Sequence, residues 1–299
     1  VPPAIFSSRA RRVRAVAACA VLLALVGYVA AHLLTGGGGP PRCTARADGE
    51  RVSLDPEQTR NAASIVAVGR GRGLPERAVT IALATAMQES GLRNIQRGDR
   101  DSLGLFQQRP SQGWGTREQI LDPVYSAGAF YDRLVRVPGY SRLPLTVAAQ
   151  RVQFSGFPQA YAKHETEAQV LTEVLRGRAP AAFGCPGPPD DGSTGDPAKV
   201  RAALKREFGS AVPASGAGRV DGTTGTLLVP VRAAVRADVP RHGWELAYWA
   251  VAHSDELRIE RVSYQGQVWS ARNSSQGWYA APDGKAGNSD REVSITVAR

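Results

Sequence analysis

Glu89 is the residue with the clearest capacity for chemistry. It stands in Gln88-Glu89-Ser90-Gly91-Leu92, after an apolar run through Val79, Leu83, Ala84, Ala86 and Met87. A helix built on that run has its negative pole at Glu89, a place that disfavours an acid. A carboxyl kept there is a candidate proton donor and acceptor, and apolar neighbours such as Leu92, Leu105 and Phe106 favour its protonated form at neutral pH. A solvated, idle helix-end carboxylate is the bland alternative. Asp99 and Asp101 follow closely, and either would make a second carboxylate if it faced Glu89 across a groove. Beside Gly98 they also read as ordinary turn residues. The cysteines and histidines show no zinc-ligand spacing. His164, between Lys163 and Glu165, reads as a surface histidine, and no metal or cofactor is expected.

The elements that must position Glu89 are short helices. Asp55-Pro56-Glu57 supplies a cap, a first-turn proline and an early acid, and opens a helix through Ile65 and Val66. Pro75-Glu76 opens a second, ending near Glu89. Asp122-Pro123 opens a third, with Phe130 and Leu134 four apart. Tyr161, Ala168, Leu171 and Leu175 mark a last amphipathic helix. A polar, Gly-rich loop follows the second helix. Ala179 to Pro197 is dense in Pro, Gly and Asp and reads as a linker. Beyond it, Val200–Phe208 and Trp244–His253 read as helices, while Leu227–Val231, Arg258–Val262, Val268-Trp269 and Val293–Val297 read as strands.

The chain is 299 residues with a net charge of +10. Its 42% apolar content excludes whole-chain disorder. The basic excess is almost all arginine, a bias that a GC-rich genome also produces. With no RRM, KH or zinc-finger pattern, nucleic acid is not an expected partner. Arg9, Arg11, Arg12 and Arg14 precede an uncharged stretch from Ala15 to Leu34. That stretch is long enough to cross a bilayer, and its basic flank predicts a cytoplasmic N-terminus with the rest of the chain outside. A cleaved signal is the alternative, and the protein would then be secreted. Setting aside Cys19 in the apolar stretch, Cys43 and Cys185 bracket the first domain. Outside the cytoplasm they are expected to form a disulfide, the alternative being two unpaired thiols.

The expected fold class is therefore multidomain: an N-terminal transmembrane helix, a mainly-α domain and a small α+β C-terminal domain. The boundaries are a basic end at 1–14, an anchor at 15–34, a stalk at 35–49, the α domain at 50–178, the linker at 179–197 and the α+β domain at 198–299.

Fifteen residues after Glu89 the sequence reads Gly104-Leu105-Phe106-Gln107. Glu-Ser at a helix end followed by this tetrapeptide resembles the soluble lytic transglycosylase and goose-type lysozyme group, with Phe106 where methionine is usual. The resemblance spans roughly residues 50 to 178. It implies a lysozyme-like domain that cleaves the bond between N-acetylmuramic acid and N-acetylglucosamine in peptidoglycan strands. Glu89 would protonate the leaving oxygen, then accept the proton of the muramyl 6-hydroxyl as that oxygen closes a 1,6-anhydro ring. Ser90 and Gln107 carry over as a hydrogen bonder near the acid and a groove residue, and Tyr161 matches a tyrosine that points at the acid. The family's Ala-Tyr-Asn-Ala-Gly segment is replaced by Ala148-Ala149-Gln150-Arg151-Val152-Gln153-Phe154-Ser155-Gly156, so Gln150 or Gln153 would have to substitute. Gln108, Arg109, Gln112 and Trp114 form a polar and aromatic run suited to a sugar groove, with fold capping as the other use of Trp114. The departure at 148–156 keeps open a scaffold that grips glycan without cutting it.

Residues 197–299 are similar to a domain of actinobacterial cell-wall proteins related to zinc D,D-carboxypeptidases of the hedgehog-like fold. The similarity rests on Trp249 to Leu257, Val268-Trp269-Ser270 and Trp278. Gly222, Val229 and Asp290-Arg291-Glu292-Val293-Ser294 stand where that family has its zinc ligands, which implies a module without metal. His242 and His253 are too isolated to rebuild one. Trp244, Trp249, Trp269 and Trp278 are expected in the core or at its edge.

Overall fold

The computed structural model describes residues 8–34, 40–155, 158–212, 218–233, 235–281 and 290–299. The chain divides into two compact units, residues 1–41 and 42–299. The first contains α1 (Ser8–Leu34), a helix of 27 residues. Its window Val13–Ala30 is long and apolar enough for a membrane span, a test that a signal sequence also passes. Part of the expected stalk, residues 35–39, lies outside the described residues.

The second unit opens with a small sheet. Strands β1 (Cys43–Ala47) and β2 (Glu50–Leu54) pair antiparallel. The expected stalk therefore ends earlier than residue 49, because Cys43, Ala45 and Ala47 alternate inward and bury one face. Next come α2 (Pro56–Gly71), α3 (Glu76–Ser90), α4 (Arg117–Ile120), α5 (Pro123–Leu134), α6 (Leu145–Gln153) and α7 (Glu165–Leu175). Local chemistry fixes several ends. The Asp55 carboxylate accepts from Gln58 N at 2.9 Å while Gln58 Oε1 accepts from Asp55 N at 3.0 Å, a reciprocal capping box for α2. α3 closes at Gly91, whose φ of 62° is left-handed, with Leu92 N donating back to Ala86 O at 3.1 Å. Every residue from Ala78 to Met87 is buried, so α3 is the central helix and its last turn is held rigidly.

The remaining elements are β3 (Phe183–Gly184), α8 (Pro197–Phe208), β4 (Arg219–Asp221), β5 (Thr226–Pro230), α9 (Val239–Ala252), α10 (Ser254–Leu257), β6 (Ile259–Tyr264), β7 (Gln267–Ser270), β8 (Tyr279–Ala280) and β9 (Glu292–Val297). β3 pairs antiparallel with β1, completing the small sheet in the order β2-β1-β3. The other described strands form an antiparallel sheet in the order β4-β5-β9-β6-β7-β8. α9 lies on it, with Trp244 edge-on to Tyr264 of β6 at 5.5 Å.

The Pro/Gly stretch from Ala179 to Pro197 is not a free spacer. Tyr248 Oη donates to Ala179 O at 2.5 Å, Trp278 Nε1 to Phe183 O at 2.6 Å and Trp269 Nε1 to Cys185 O at 3.2 Å. Aromatic donors from the C-terminal half thus stitch down a segment whose own side chains carry no apolar period. The two halves meet closely. An added Cβ on Gly177 would lie 2.0 Å from Arg241 O, and Gly177 also has a φ of 71°. Gly177→Ala should therefore lower stability by about 1–3 kcal/mol through overpacking plus backbone strain, read as a drop in urea midpoint.

Cys43 and Cys185 form a disulfide across 142 residues, tying β1 to the residue that follows β3, within the stretch between the halves. Reduction with a thiol should cost about 2–4 kcal/mol, and a Cys43→Ser/Cys185→Ser variant should melt at the same lowered temperature with or without reductant. An unchanged melting point on reduction would show that the bond contributes nothing.

Candidate functional site

Glu89 is half-buried in the last turn of α3. Tyr161 Oη donates to Glu89 Oε1 at 2.6 Å. None of the ion pairs among the described residues involves Glu89. Tyr161 is buried, and it sits in a 3-10 stretch (Pro158–His164) before α7 rather than on that helix, as its spacing had predicted. Burial, then the adjacent Glu89 carboxyl, push the Tyr161 phenol above its ordinary value, so it remains a proton-bearing donor at neutral pH.

Side-chain ties hold the two halves of the motif together. Ser90 Oγ is placed to donate to Leu105 O at 2.7 Å and to Ala86 O at 3.0 Å, joining the end of α3 to the Gly104–Gln107 loop. Gln153 Nε2 donates to Phe106 O at 2.7 Å, joining the end of α6 to the same loop. Gln150 Nε2 donates to Ser155 O at 2.8 Å, and Ser155 is hydrogen-bonded to Tyr161. Glu89, Ser90, Gln107, Gln150, Gln153 and Tyr161 therefore lie on segments fastened to one another. Gly156 lies outside the described residues.

The amides are less available than the sequence predicts. Gln107 Nε2 donates to Gly104 O at 3.0 Å, and a Cβ on Gly98 would strike Gln107 Oε1 at 1.8 Å, so Gly98 makes room for that side chain. Gln108 is turned inward and its Nε2 donates to Ser126 O at 2.9 Å, so it holds the loop to α5 instead of facing a groove. Trp114 is also buried, with the Arg133 guanidinium 3.4 Å over its ring. That cation occupies a face a sugar would need, and the capping role of Trp114 is the one the packing favours. Asp101 accepts from Arg109 Nε at 2.7 Å and Ser111 N at 2.9 Å. Arg109 first, then Ser111, hold its carboxyl well below the usual range. Asp101 thus braces the loop, and Asp99 sits in the turn closed by Ser102 N on Asp99 O.

A second polar cluster escaped sequence reasoning. His253 Nε2 lies 3.2 Å from Glu207 Oε1 and 3.5 Å from Ser64 Oγ, and Trp249 Nε1 donates to Glu207 Oε2 at 2.7 Å. Serine, histidine and carboxylate are all present, but no relay is possible. Both Ser64 and Glu207 face the same ring nitrogen, while His253 Nδ1 faces Trp249 O at 2.9 Å. These residues lie on α2, α8 and the turn after α9, and nothing in their separate contexts signals the pairing. Among the described residues no group of His, Cys, Asp and Glu has the makings of a metal site.

One family model, the VldE C-terminal domain, matches residues 228–291. The match runs from β5 to the residue before β9 and lies entirely outside the half that carries Glu89. No curated protein matches the chain.

Proposed function

We propose that the chain is a cell-envelope enzyme of the lytic transglycosylase kind, acting on peptidoglycan strands with Glu89 as sole acid and base. The observation that carries this reading is the 2.6 Å contact from Tyr161 Oη to Glu89 Oε1, on segments fastened to the Gly104–Gln107 loop by Ser90 and Gln153. Tyr161 fixes one carboxyl oxygen, and Oε2 is presented to the substrate. Protonated Glu89 gives its proton to the glycosidic oxygen as the bond from C1 of N-acetylmuramic acid breaks. The resulting carboxylate then takes the 6-hydroxyl proton while that oxygen bonds to C1, which returns Glu89 to its starting form. In this reading α1 anchors the enzyme with residues 42–299 outside the cytoplasm, an environment in which the disulfide persists. The C-terminal half is a non-catalytic brace.

A specific observation favours the rival scaffold. Gln107, Gln150 and Gln153 each have an amide nitrogen committed to a backbone carbonyl, which leaves fewer donors for sugar hydroxyls. Analysis of muropeptides after incubation with intact sacculi separates the readings. Anhydro-muropeptides from the wild type support the transglycosylase, reducing ends indicate hydrolysis, and strands bound but uncut by folded protein indicate the scaffold.

A further inference from the structure

We infer that Phe154 is an aromatic platform that stacks on a sugar ring of the strand held at Glu89; the inference rests on the glycan-cleaving reading above. Phe154 is 79% exposed, although phenylalanine is ordinarily a core residue. It caps the C-terminus of α6 with a left-handed φ of 53°. That position is normally taken by glycine or asparagine, because a bulky side chain there is strained. A ring that is both strained and solvent-exposed adds nothing to the core.

Its neighbours explain why it is held there. Gln153, one residue before, is fastened to Phe106 O of the motif loop. Ser155, one residue after, is held through its carbonyl by Gln150 and through a hydrogen bond by Tyr161, the partner of Glu89. Phe154 is thus pinned on both sides by side chains of the candidate site. A pyranose presents a face of C–H groups, which the negative face of an aromatic ring attracts. The inward turn of Gln108 and the covering of Trp114 by Arg133 leave that task to Phe154.

The test uses the full chain in detergent micelles and peptide-free glycan strands. Phe154→Ala should raise KM about tenfold with kcat within about twofold, and Phe154→Trp should restore KM. In a Glu89→Gln background the same Phe154→Ala change should weaken strand binding by a similar factor. Phe154→Gly should raise KM equally yet melt no lower than the wild type, because it relieves the backbone. Wild-type KM and binding in Phe154→Ala would overturn the platform while leaving the glycan-cleaving reading intact. A wild type that neither binds nor cuts strands would overturn both. A Phe154→Gly variant that melts lower would make the ring structural. Loss of binding to anionic liposomes in Phe154→Ala with unchanged KM would assign it to a membrane surface, and either result overturns the platform.

Discussion

Glu89→Gln should reduce glycan cleavage by about 10²–10⁴-fold, the span expected for loss of one general acid–base group. Glutamine keeps the shape and still accepts from Tyr161 Oη through its carbonyl, so the fold should be retained. The loss should fall on kcat with strand binding unchanged, because the proton moves only in the transition state. Tyr161→Phe makes a sharper companion. It removes a donor to Oε1 but not the acid, so its effect should be smaller, about tenfold, and confined to kcat. Full activity in Glu89→Gln would end the single-glutamate mechanism. A Tyr161→Phe loss as large as that of Glu89→Gln would mean that the phenol itself transfers the proton.

Where the sequence is legible, local chemistry decides the outcome. Asp55 and Gln58 cap α2, Asp122 and Pro123 open α5, and Gly91 closes α3, each through partners within a few residues. The placement of Glu89 at the end of α3 follows from those signals. The site fails to be legible where a partner lies far along the chain. Gln108 reads as a groove residue because its type and neighbours are polar, yet a carbonyl on α5 claims it. Trp114 reads as a stacking ring until Arg133, also on α5, covers it. The stretch from Ala179 to Pro197 reads as a spacer because its order comes from indole and phenol donors of the C-terminal half, not from its own side chains. Cys43 and Cys185 are the exception, since the apolar N-terminal stretch predicts export and two cysteines left in a segment so expected have few other fates.

The pair between Glu207 and His253 carries the second large expectation. His253 is 3% exposed and Glu207 9% exposed, so each charge depends on the other. Both nitrogens of His253 face acceptors, Trp249 O and Glu207 Oε1, which is the pattern of a doubly protonated ring. Burial alone would lower the pKa of His253, but the Glu207 carboxylate and the Trp249 carbonyl outweigh it and raise it. Burial alone would raise that of Glu207, but His253, Trp249 Nε1 and Ser64 together hold it below the ordinary value. The raised histidine stabilises the fold fully below about pH 6.5, and that contribution fades as pH climbs through its folded pKa. The lowered carboxylate stabilises above the ordinary carboxylate range, and its contribution fades as pH falls through its folded pKa.

Stability from the pair should thus plateau in mildly acidic solution and fall on both sides, as thermal melts across the pH range would show. Glu245 superimposes a separate fall at lower pH. Burial pushes its carboxyl up to about 7 against the pull of Arg176, Arg70 and Arg241, so its contribution is lost between the ordinary carboxylate range and that value. His253→Gln should therefore remove the fall above about pH 6.5 and leave the Glu245 fall in place. Glu207→Gln leaves a buried imidazolium without its counter-charge and should cost about 3–5 kcal/mol at pH 6. The double variant should be less damaged than the two single losses summed, because each single change strands a charge that the double change removes. A polar crevice of 200 Å³, bordered by Arg60 and Glu256 as well as by the pair, gives solvent a route to it, so the titration should be fast and reversible. Melting temperatures that stay flat with pH in the wild type and match in both single variants would show that the pair is neutral, with a shared proton in place of two charges.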